Sequence, residues 1–531
     1  MRKLHLSMTP LVERLYTAAL AAWKERDFEA AEAFLKKVLA QDCFCARAQL
    51  LQAYVYRDQG AVLSELHCLE TLLPQLPEEE GVQPLAAAGW SLLGGAYNAL
   101  GKNREAQAAF LRAAAEEPRA DKKLAEYSNA IFVSNHWLMG VAELHALYTG
   151  YVALLDAVQP YEAVNYHHSR LRIGYVSADL RRHPVTYFSA VLFKGFDRER
   201  YAVYGYAANP PDEVTRWLAA GDVHWREVQG DSPDRIAAQI RVDEIDILFD
   251  LSGHTANNML PVLAWRPAPV QVSGIGYMSS TGLPAVDYFL GDSYLDAVAQ
   301  ETFTERLLLL PQTHLCYTAL QPMPELCPPP CLRNGYVTFG CFNNFAKVTD
   351  EMLRLWAGIL AEVPGSRLLL KHRLFNHTEG RTYAWQRLDR QGIPQGRVEL
   401  RGLSADYLSQ YGDMDIALDT YPYTGGLTTF EALFMGVPVV SLYGSRHGTR
   451  FGRSLLMNAG LGELSAATAA EYAARSIGLA RDWELLTGLR QELRRMVARS
   501  PLMDSRAYMR AVEAAYEKIW KERWQKGECT L

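Results

Sequence analysis

Cysteine is scarce in this chain, and the eight present (43, 45, 68, 316, 327, 331, 341 and 529) form no C-x-x-C pair and no spacing that histidines complete. That pattern argues against a zinc site or a disulfide framework and makes a reducing cytoplasm the expected compartment. A basic excess is lacking too: 54 Lys and Arg stand against 60 Asp and Glu, and the net charge of -6 offers nucleic-acid phosphates no general footprint. No long apolar run opens the chain, because MRKLHLSMTPLVERLYTAALAAW is interrupted by Glu13 and Arg14. The segment fails as a signal peptide or membrane span and is expected to be the first helix of a soluble protein. The phosphate-binding pattern G-x-x-x-x-G-K-[ST] is also missing.

What is present is a long chain of globular composition. Its 531 residues, 49% hydrophobic and 21% charged, exceed one core, so two to four domains are expected. Trp90, Leu93, Gly94 and Tyr97, followed by Ala106, Phe110 and Pro118, spell the tetratricopeptide pattern. Ala30 and Phe34 repeat its second half upstream, leaving room for a degenerate middle unit around Leu63 to Leu73 and an acidic insertion, Pro77 to Gly81. Residues 1–120 are therefore expected to form a short array of three helix pairs with a concave protein-binding face. Residues 121–168 keep a helical texture without the repeat and form a linker.

From Leu171 the texture changes to short β-branched runs alternating with amphipathic segments. Leu171 to Ser177, Ala202 to Tyr206, Ile245 to Phe249, Val270 to Gly274 and Arg306 to Leu310 read as buried strands. After Cys327-Pro-Pro-Pro-Cys331 a second series follows: Tyr336 to Phe339, Arg367 to Lys371, Val398 to Arg401, Ile416 to Leu418 and Val437 to Leu442. The fold class is α/β, with two doubly wound, mostly parallel domains spanning 169–333 and 334–500 behind the helical repeats. A closing helix in 501–531 puts Ala511, Ala514, Ala515, Ile519 and Trp520 on one face, which should pack on an earlier domain.

In open α/β sheets ligands sit beyond the carboxyl ends of strands, which directs attention to four loops. Ser177 to Pro184 carries His183, suited to proton transfer or to a hydrogen bond with a sugar or phosphate, or equally to a helix cap. Asp250 to Asn258 packs His254 among two hydroxyls and two amides, a polar cluster that needs partners or a ligand. Asn343-Asn-Phe-Ala-Lys347 precedes a helix whose first turn holds Asp350 and Glu351; an acidic helix start is a poor phosphate cradle, so Lys347 is expected to act as a separate point charge. Thr420 to Leu433 holds Gly425 and Gly426, which allow close backbone approach, and Thr428 and Thr429 at a helix start. Amides, hydroxyls and a helix dipole make an anion site there, or a routine capped turn. Asp413-Met-Asp415 resembles a metal-holding D-x-D, but its place just before a strand favours a solvated strand entry.

Taken together, LRIGYVSADLRRHPVTYF, DILFDLSGHTANN, RPAPVQVSGIGY, TGLPAVDY, FGCFNNFAKVT and DIALDTYPYTGGLTTFEALFMGVPVV resemble the glycosyltransferase family that unites protein O-GlcNAc transferases and SPINDLY proteins. The resemblance implies a GT-B arrangement of two Rossmann-like domains and inverting sugar transfer to Ser or Thr of cytoplasmic proteins recruited by the repeats. No metal or other cofactor is implied, only a nucleotide sugar as co-substrate, and neither nucleic acid nor membrane as partner. It makes Lys347 the diphosphate-binding lysine, Asn344 a nucleotide contact, Gly425, Gly426, Leu427, Thr428 and Thr429 the diphosphate loop, and His183 an active-site histidine with His254 in the second loop. Three departures bear on the donor. Tyr407 and Leu427 stand where O-GlcNAc transferases have histidines, the first against the nucleobase, and Met278 replaces a usual proline. UDP-GlcNAc is the first expected donor; GDP-fucose, UDP-glucose and a non-catalytic repeat adaptor stay open.

Overall fold

The computed structural model describes residues 4–77, 81–295 and 297–528, with side chains of 297–299 and 524–528 left aside. The three glutamates of the acidic insertion, the first three residues and Cys529 lie outside the described residues. Two compact units are formed: Met1–Trp137 with Phe342–Ala357 and Leu369–Ala405, and Leu138–Cys341 with Gly358–Leu368 and Asp406–Leu531.

In the first unit the repeats fold as antiparallel pairs: α1 (Pro10–Lys24) with α2 (Phe28–Gln41), α3 (Ala46–Gln59) with α4 (Val62–Leu72), and α5 (Gln83–Ala99) with α6 (Asn103–Glu116). Local chemistry sets their ends. Thr9 accepts the Val12 N–H and Pro10 opens α1, Asp27 caps α2, and Gly60 ends α3 in the left-handed conformation. The repeat motif has a steric reason: a Cβ on Gly94 would lie 2.7 Å from the Phe110 ring, so only glycine lets α5 and α6 approach. The degenerate middle unit still forms a helix pair, held by Leu51, Val55, Leu66 and Leu69, all buried.

The helical texture after the repeats continues through α7 (Ala120–Val133) and α8 (Val141–Ala153). Helix ends there, and residues 158–168 carry no regular element; the segment Gln159-Pro-Tyr cannot extend a helix across its proline.

The second unit holds a seven-stranded sheet of β1 (Leu171–Ser177), β2 (Tyr201–Ala207), β3 (Val223–Glu227), β4 (Ile247–Asp250), β5 (Val270–Ser273), β6 (Tyr288–Asp292) and β7 (Arg306–Leu310), in the order β3-β2-β1-β4-β5-β6-β7. Its pairs are all parallel. A six-stranded sheet contains β8 (Thr338–Cys341), β9 (Arg367–Lys371), β10 (Val398–Arg401), β11 (Ile416–Leu418), β12 (Val439–Leu442) and β13 (Ser465–Ala466), in the order β10-β9-β8-β11-β12-β13. Both reverse order beside their first strand, the doubly wound pattern that places ligands beyond the strand ends.

The final helix, Ser505–Glu528, packs on the first sheet. The Tyr175 and Tyr516 hydroxyls share a hydrogen bond at 3.1 Å, and Tyr201 donates to the Glu513 carbonyl at 3.3 Å. Val512, Ala515, Tyr516 and Ile519 form the buried face, whereas Ala514, expected on it, is exposed. Tyr516, which buries far more apolar area than an alanine, anchors this face.

Candidate active site

Lys347 and Asn344 belong to the first unit. β8 ends in Cys341, and the chain then turns through a single 3-10 turn, Phe345–Lys347, in which the Asn344 side chain accepts the Ala346 N–H at 3.1 Å. Three neighbours fix this turn. Asn103, at the start of α6, donates to the Ala346 carbonyl at 3.0 Å. Arg387 lies over the Phe345 ring at 5.2 Å, donates to the Val348 carbonyl and pairs with Asp350 at 2.6 Å. Glu351 meets Arg354 at 3.1 Å. The two acids that follow Lys347 are thus matched to arginines of their own. Lys347 itself is half-buried, and its charge adds to the burial that holds the His136 imidazole down at about 4.

The glycine loop lies in the second unit and is organised by a residue outside the sequence-based set, Asp419. One carboxylate oxygen accepts the N–H groups of Thr420 and Gly425, each at 2.8 Å, and the other accepts the Ser441 hydroxyl at 2.7 Å. Tyr421–Pro422 is a cis peptide, Gly426 caps the helix Leu427–Phe434, and Thr424 donates to the Gly448 carbonyl at 3.1 Å. Leu427 and Thr428 are half-exposed at the first turn and Thr429 is buried. Met278 is buried, with its side chain against Gly448.

Tyr407 is tied to the same helix. Its hydroxyl donates to Glu431 at 2.6 Å and accepts from Gln321 at 3.2 Å, while Tyr411 donates to the other Glu431 oxygen at 3.2 Å. Burial pushes Glu431 up to about 7, against the two phenol hydrogen bonds, which favour its charge. With its hydroxyl committed on both sides, Tyr407 offers a ligand only its ring.

The two histidine loops follow adjacent parallel strands, β1 and β4, and are joined by the Ser177 and Ser252 hydroxyls at 3.0 Å. His183 caps the helix Pro184–Lys194: its Nδ1 accepts the Val185 N–H at 3.4 Å and lies 3.6 Å from Asp179. Burial lowers its pKa, and the Asp179 carboxylate opposes that shift. His254 is 1% exposed, donates from Nε2 to the Thr281 carbonyl at 2.8 Å and sits edge-on to Tyr151 and Tyr277. Burial holds it at about 4, a neutral imidazole. The polar cluster around it finds partners within the fold, since Asp250 accepts the N–H groups of Ser252 and Gly253 and the Ser273 hydroxyl.

An aromatic column links the helix after His183 to the helix after the glycines. Tyr187 stacks on Tyr317 at 5.7 Å, Tyr317 on Phe430 at 4.0 Å and Phe430 on Phe434 at 5.8 Å. The column and the Tyr407–Glu431 bond thus tie the helix that His183 caps and Tyr407 to the Leu427–Phe434 helix within one unit, while His254 is buried.

Asp415 of the D-x-D is buried and accepts the N–H groups of Cys331 and Thr338 at 3.0 and 2.8 Å, so it serves the strand entry. Among the described residues no group of three or more His, Cys, Asp or Glu could hold a metal ion, and no helix is long and apolar enough to cross a membrane.

The missed residues had different visibility. Asp419 ends a strand and precedes a Pro-containing, glycine-rich loop, a position from which a carboxylate can collect loop amides, so it was accessible to sequence reasoning. Asn103 and Arg387 were not: Asn103 sits on a repeat helix 243 residues from Ala346, and Arg387, on the helix Thr378–Arg390, is 39 residues from Val348, with nothing local to connect either to the lysine turn.

The model of glycosyl transferase family 41 matches residues 132–327 and 331–512. The chain is 40% identical over 402 residues to the SPINDLY protein of Arabidopsis thaliana, described as a probable UDP-N-acetylglucosamine peptide N-acetylglucosaminyltransferase; the match covers 74% of this chain and 43% of that one. The SEC protein of the same plant is 30% identical over 66% of this chain and 37% of its own. The chain thus spans roughly two fifths of the length of the curated relatives it matches. Among solved structures, a lysine-to-methionine mutant of the Thermobaculum terrenum O-GlcNAc transferase superimposes with a TM-score of 0.85 and 32% identity, covering 98% of this chain and 100% of that one. With N-terminal helical repeats, two parallel sheets and the family model matched over most of the chain, this protein belongs to glycosyl transferase family 41.

Proposed function

We propose that the chain is an inverting, metal-independent protein O-glycosyltransferase that moves GlcNAc from UDP-GlcNAc to Ser or Thr hydroxyls of cytoplasmic proteins held by the helical repeats. The observation that carries this reading is the end-to-end likeness to the Thermobaculum terrenum O-GlcNAc transferase. In the proposed reaction the acceptor hydroxyl attacks the anomeric carbon from the face opposite the nucleotide, the glycosidic C–O bond to the diphosphate breaks, and the hydroxyl proton leaves to a base. Lys347 supplies positive charge to the departing diphosphate, and the amides and hydroxyls from Gly425 to Thr429 hold its oxygens. Asn344 contacts the nucleotide, and Tyr407 offers its ring to the base. His183 positions sugar and acceptor first and takes the proton second. His254, through the Thr281 carbonyl, supports the loop rather than touching substrate.

The spent Tyr407 hydroxyl keeps the donor base open to test. The purified chain is incubated with UDP, GDP, UDP-GlcNAc, GDP-fucose and UDP-glucose, and thermal stabilisation and sugar release are measured. Stabilisation by UDP and turnover of UDP-GlcNAc are expected. Stabilisation by GDP alone would move the reading to fucosyl transfer, and silence toward all five would leave a repeat adaptor.

A further inference from the structure

Away from the loops above, the first unit contains a cleft of about 650 Å³, within the roughly 300–1,000 Å³ typical of binding sites. One wall comes from α3, α4 and α5, the other from the segment after β9 that includes His372 and Arg373. Glu65 lines it at 4% exposure. Its carboxyl meets no hydrogen-bond donor among the described residues, and burial pushes it up to about 8, with the charge of Arg57 opposing and that of Asp58 adding to the shift.

The other charged and titratable groups of the cleft are already matched or turned outward. Arg57 pairs with Asp58 at 2.7 Å, and the second Asp58 oxygen accepts the Trp23 indole N–H at 2.8 Å. Ser91 donates to Glu126 at 2.7 Å, a second carboxyl whose pKa burial raises. On the facing wall His372 accepts the Leu374 N–H at 3.3 Å and burial holds it neutral, near 4, while Arg373 and His377 are exposed at the rim. Beside Glu65 the wall turns apolar and shallow: Leu92 and Phe110 offer hydrocarbon, and a Cβ on Gly95 would meet nothing within 4 Å.

We propose that this cleft is a subsite for a lysine or arginine side chain of the acceptor polypeptide, with Glu65 as its counter-ion. The inference rests on the protein-acceptor reading above. A buried carboxyl with no donor is stable only as the neutral acid or beside a cation, and an incoming ammonium brings both charge and N–H groups. The methylene stem lies on Leu92 and Phe110 while the head reaches Glu65. An acidic side chain would face Asp58 as well.

The test uses the full chain and three fluorescein-labelled Gly-Ser decapeptides with a central lysine, norleucine or glutamate, followed by anisotropy and by calorimetry in buffers of different ionisation enthalpy. The lysine peptide should bind on the order of ten-fold more tightly than the norleucine peptide, with proton release near pH 7. Glu65→Gln should erase both the preference and the proton release while leaving acceptor-independent donor hydrolysis unchanged. Gly95→Leu, which fills open space instead of removing a buried group, should block binding even if Glu65→Gln folds poorly. Equal binding of lysine and norleucine, or a lysine preference that survives Glu65→Gln, overturns the proposal. Tighter binding of the glutamate peptide would also overturn it and assign the cleft to Arg373. Glu65-dependent lysine binding in a chain that turns over no nucleotide sugar would keep the cleft and reject the transferase reading.

Discussion

Asn103, the first residue of a repeat helix, donates its side-chain amide to the carbonyl of Ala346, the residue before Lys347. The repeat array and the lysine turn are therefore one structural element. Asn103→Ala leaves that buried carbonyl without its donor, a cost of about 1–3 kcal/mol. Thermal melts should show a modest loss of stability, and donor turnover should fall with it. Unchanged turnover would show that the turn holds its geometry unaided.

Lys347→Ala removes a charge without disturbing the Asn103 and Arg387 contacts, which reach the backbone on either side of it. The melting temperature should stay near that of the parent. Sugar transfer should drop by roughly 10²–10³-fold, the scale of losing one preorganised stabiliser of developing negative charge. Radiolabelled nucleotide-sugar turnover measures it, and transfer at the parental rate removes the lysine from the mechanism.

Asp419→Ala tests the glycine loop. The methyl group accepts nothing, so the N–H groups of Thr420 and Gly425 and the Ser441 hydroxyl lose their common acceptor. Nucleotide should then give a smaller thermal shift, with a higher KM for the donor. A full-sized shift would mean that the cis-Pro loop is rigid without its carboxylate.

Glu431 gives a pH dependence with a definite sign. An ordinary glutamate titrates near 4.5, and burial raises Glu431 to about 7. Between these values the folded chain binds more protons than the unfolded one, so stability falls as pH rises through that window, by on the order of 3 kcal/mol at most. Glu431→Gln can accept from Tyr407 and donate to Tyr411, whose hydroxyl also reaches the Thr428 carbonyl at 3.3 Å, but carries no charge. Its melting temperature, scanned from about pH 5 to 8, should be flatter than the parent's. Parallel curves would place the Glu431 titration outside this range.

What the sequence disclosed follows from how local each signal is. Strands with longer apolar runs, such as Ile245 to Phe249, are plain, whereas β6 (Tyr-Phe-Leu-Gly-Asp) is buried but has an apolar run of three residues, β3 (Val-His-Trp-Arg-Glu) is a half-exposed edge strand and β13 has two residues; all three are missing from the sequence-based strands. None of the three leaves a pattern long enough to find. Lys347 and the Gly425 to Thr429 loop stood out because each lies in a short stretch with its own chemistry. His254 invites a functional reading for the same reason, and its burial against Thr281, Tyr151 and Tyr277, which come from distant segments, is not visible in its own stretch. Tyr407 could be placed by resemblance, but the commitment of its hydroxyl could not, since Glu431 and Gln321 meet it only in the folded chain.

The closing helix bears on how the protein is made. Tyr516 meets Tyr175 across 341 residues of chain, and Glu513 accepts from Tyr201. During synthesis the first sheet therefore emerges with an uncovered aromatic face, and it keeps that face until the helix Ser505–Glu528 follows, more than 300 residues after Tyr175 and Tyr201. A chain interrupted before that helix displays the sticky side of the sheet, the kind of surface that chaperones hold and proteases recognise.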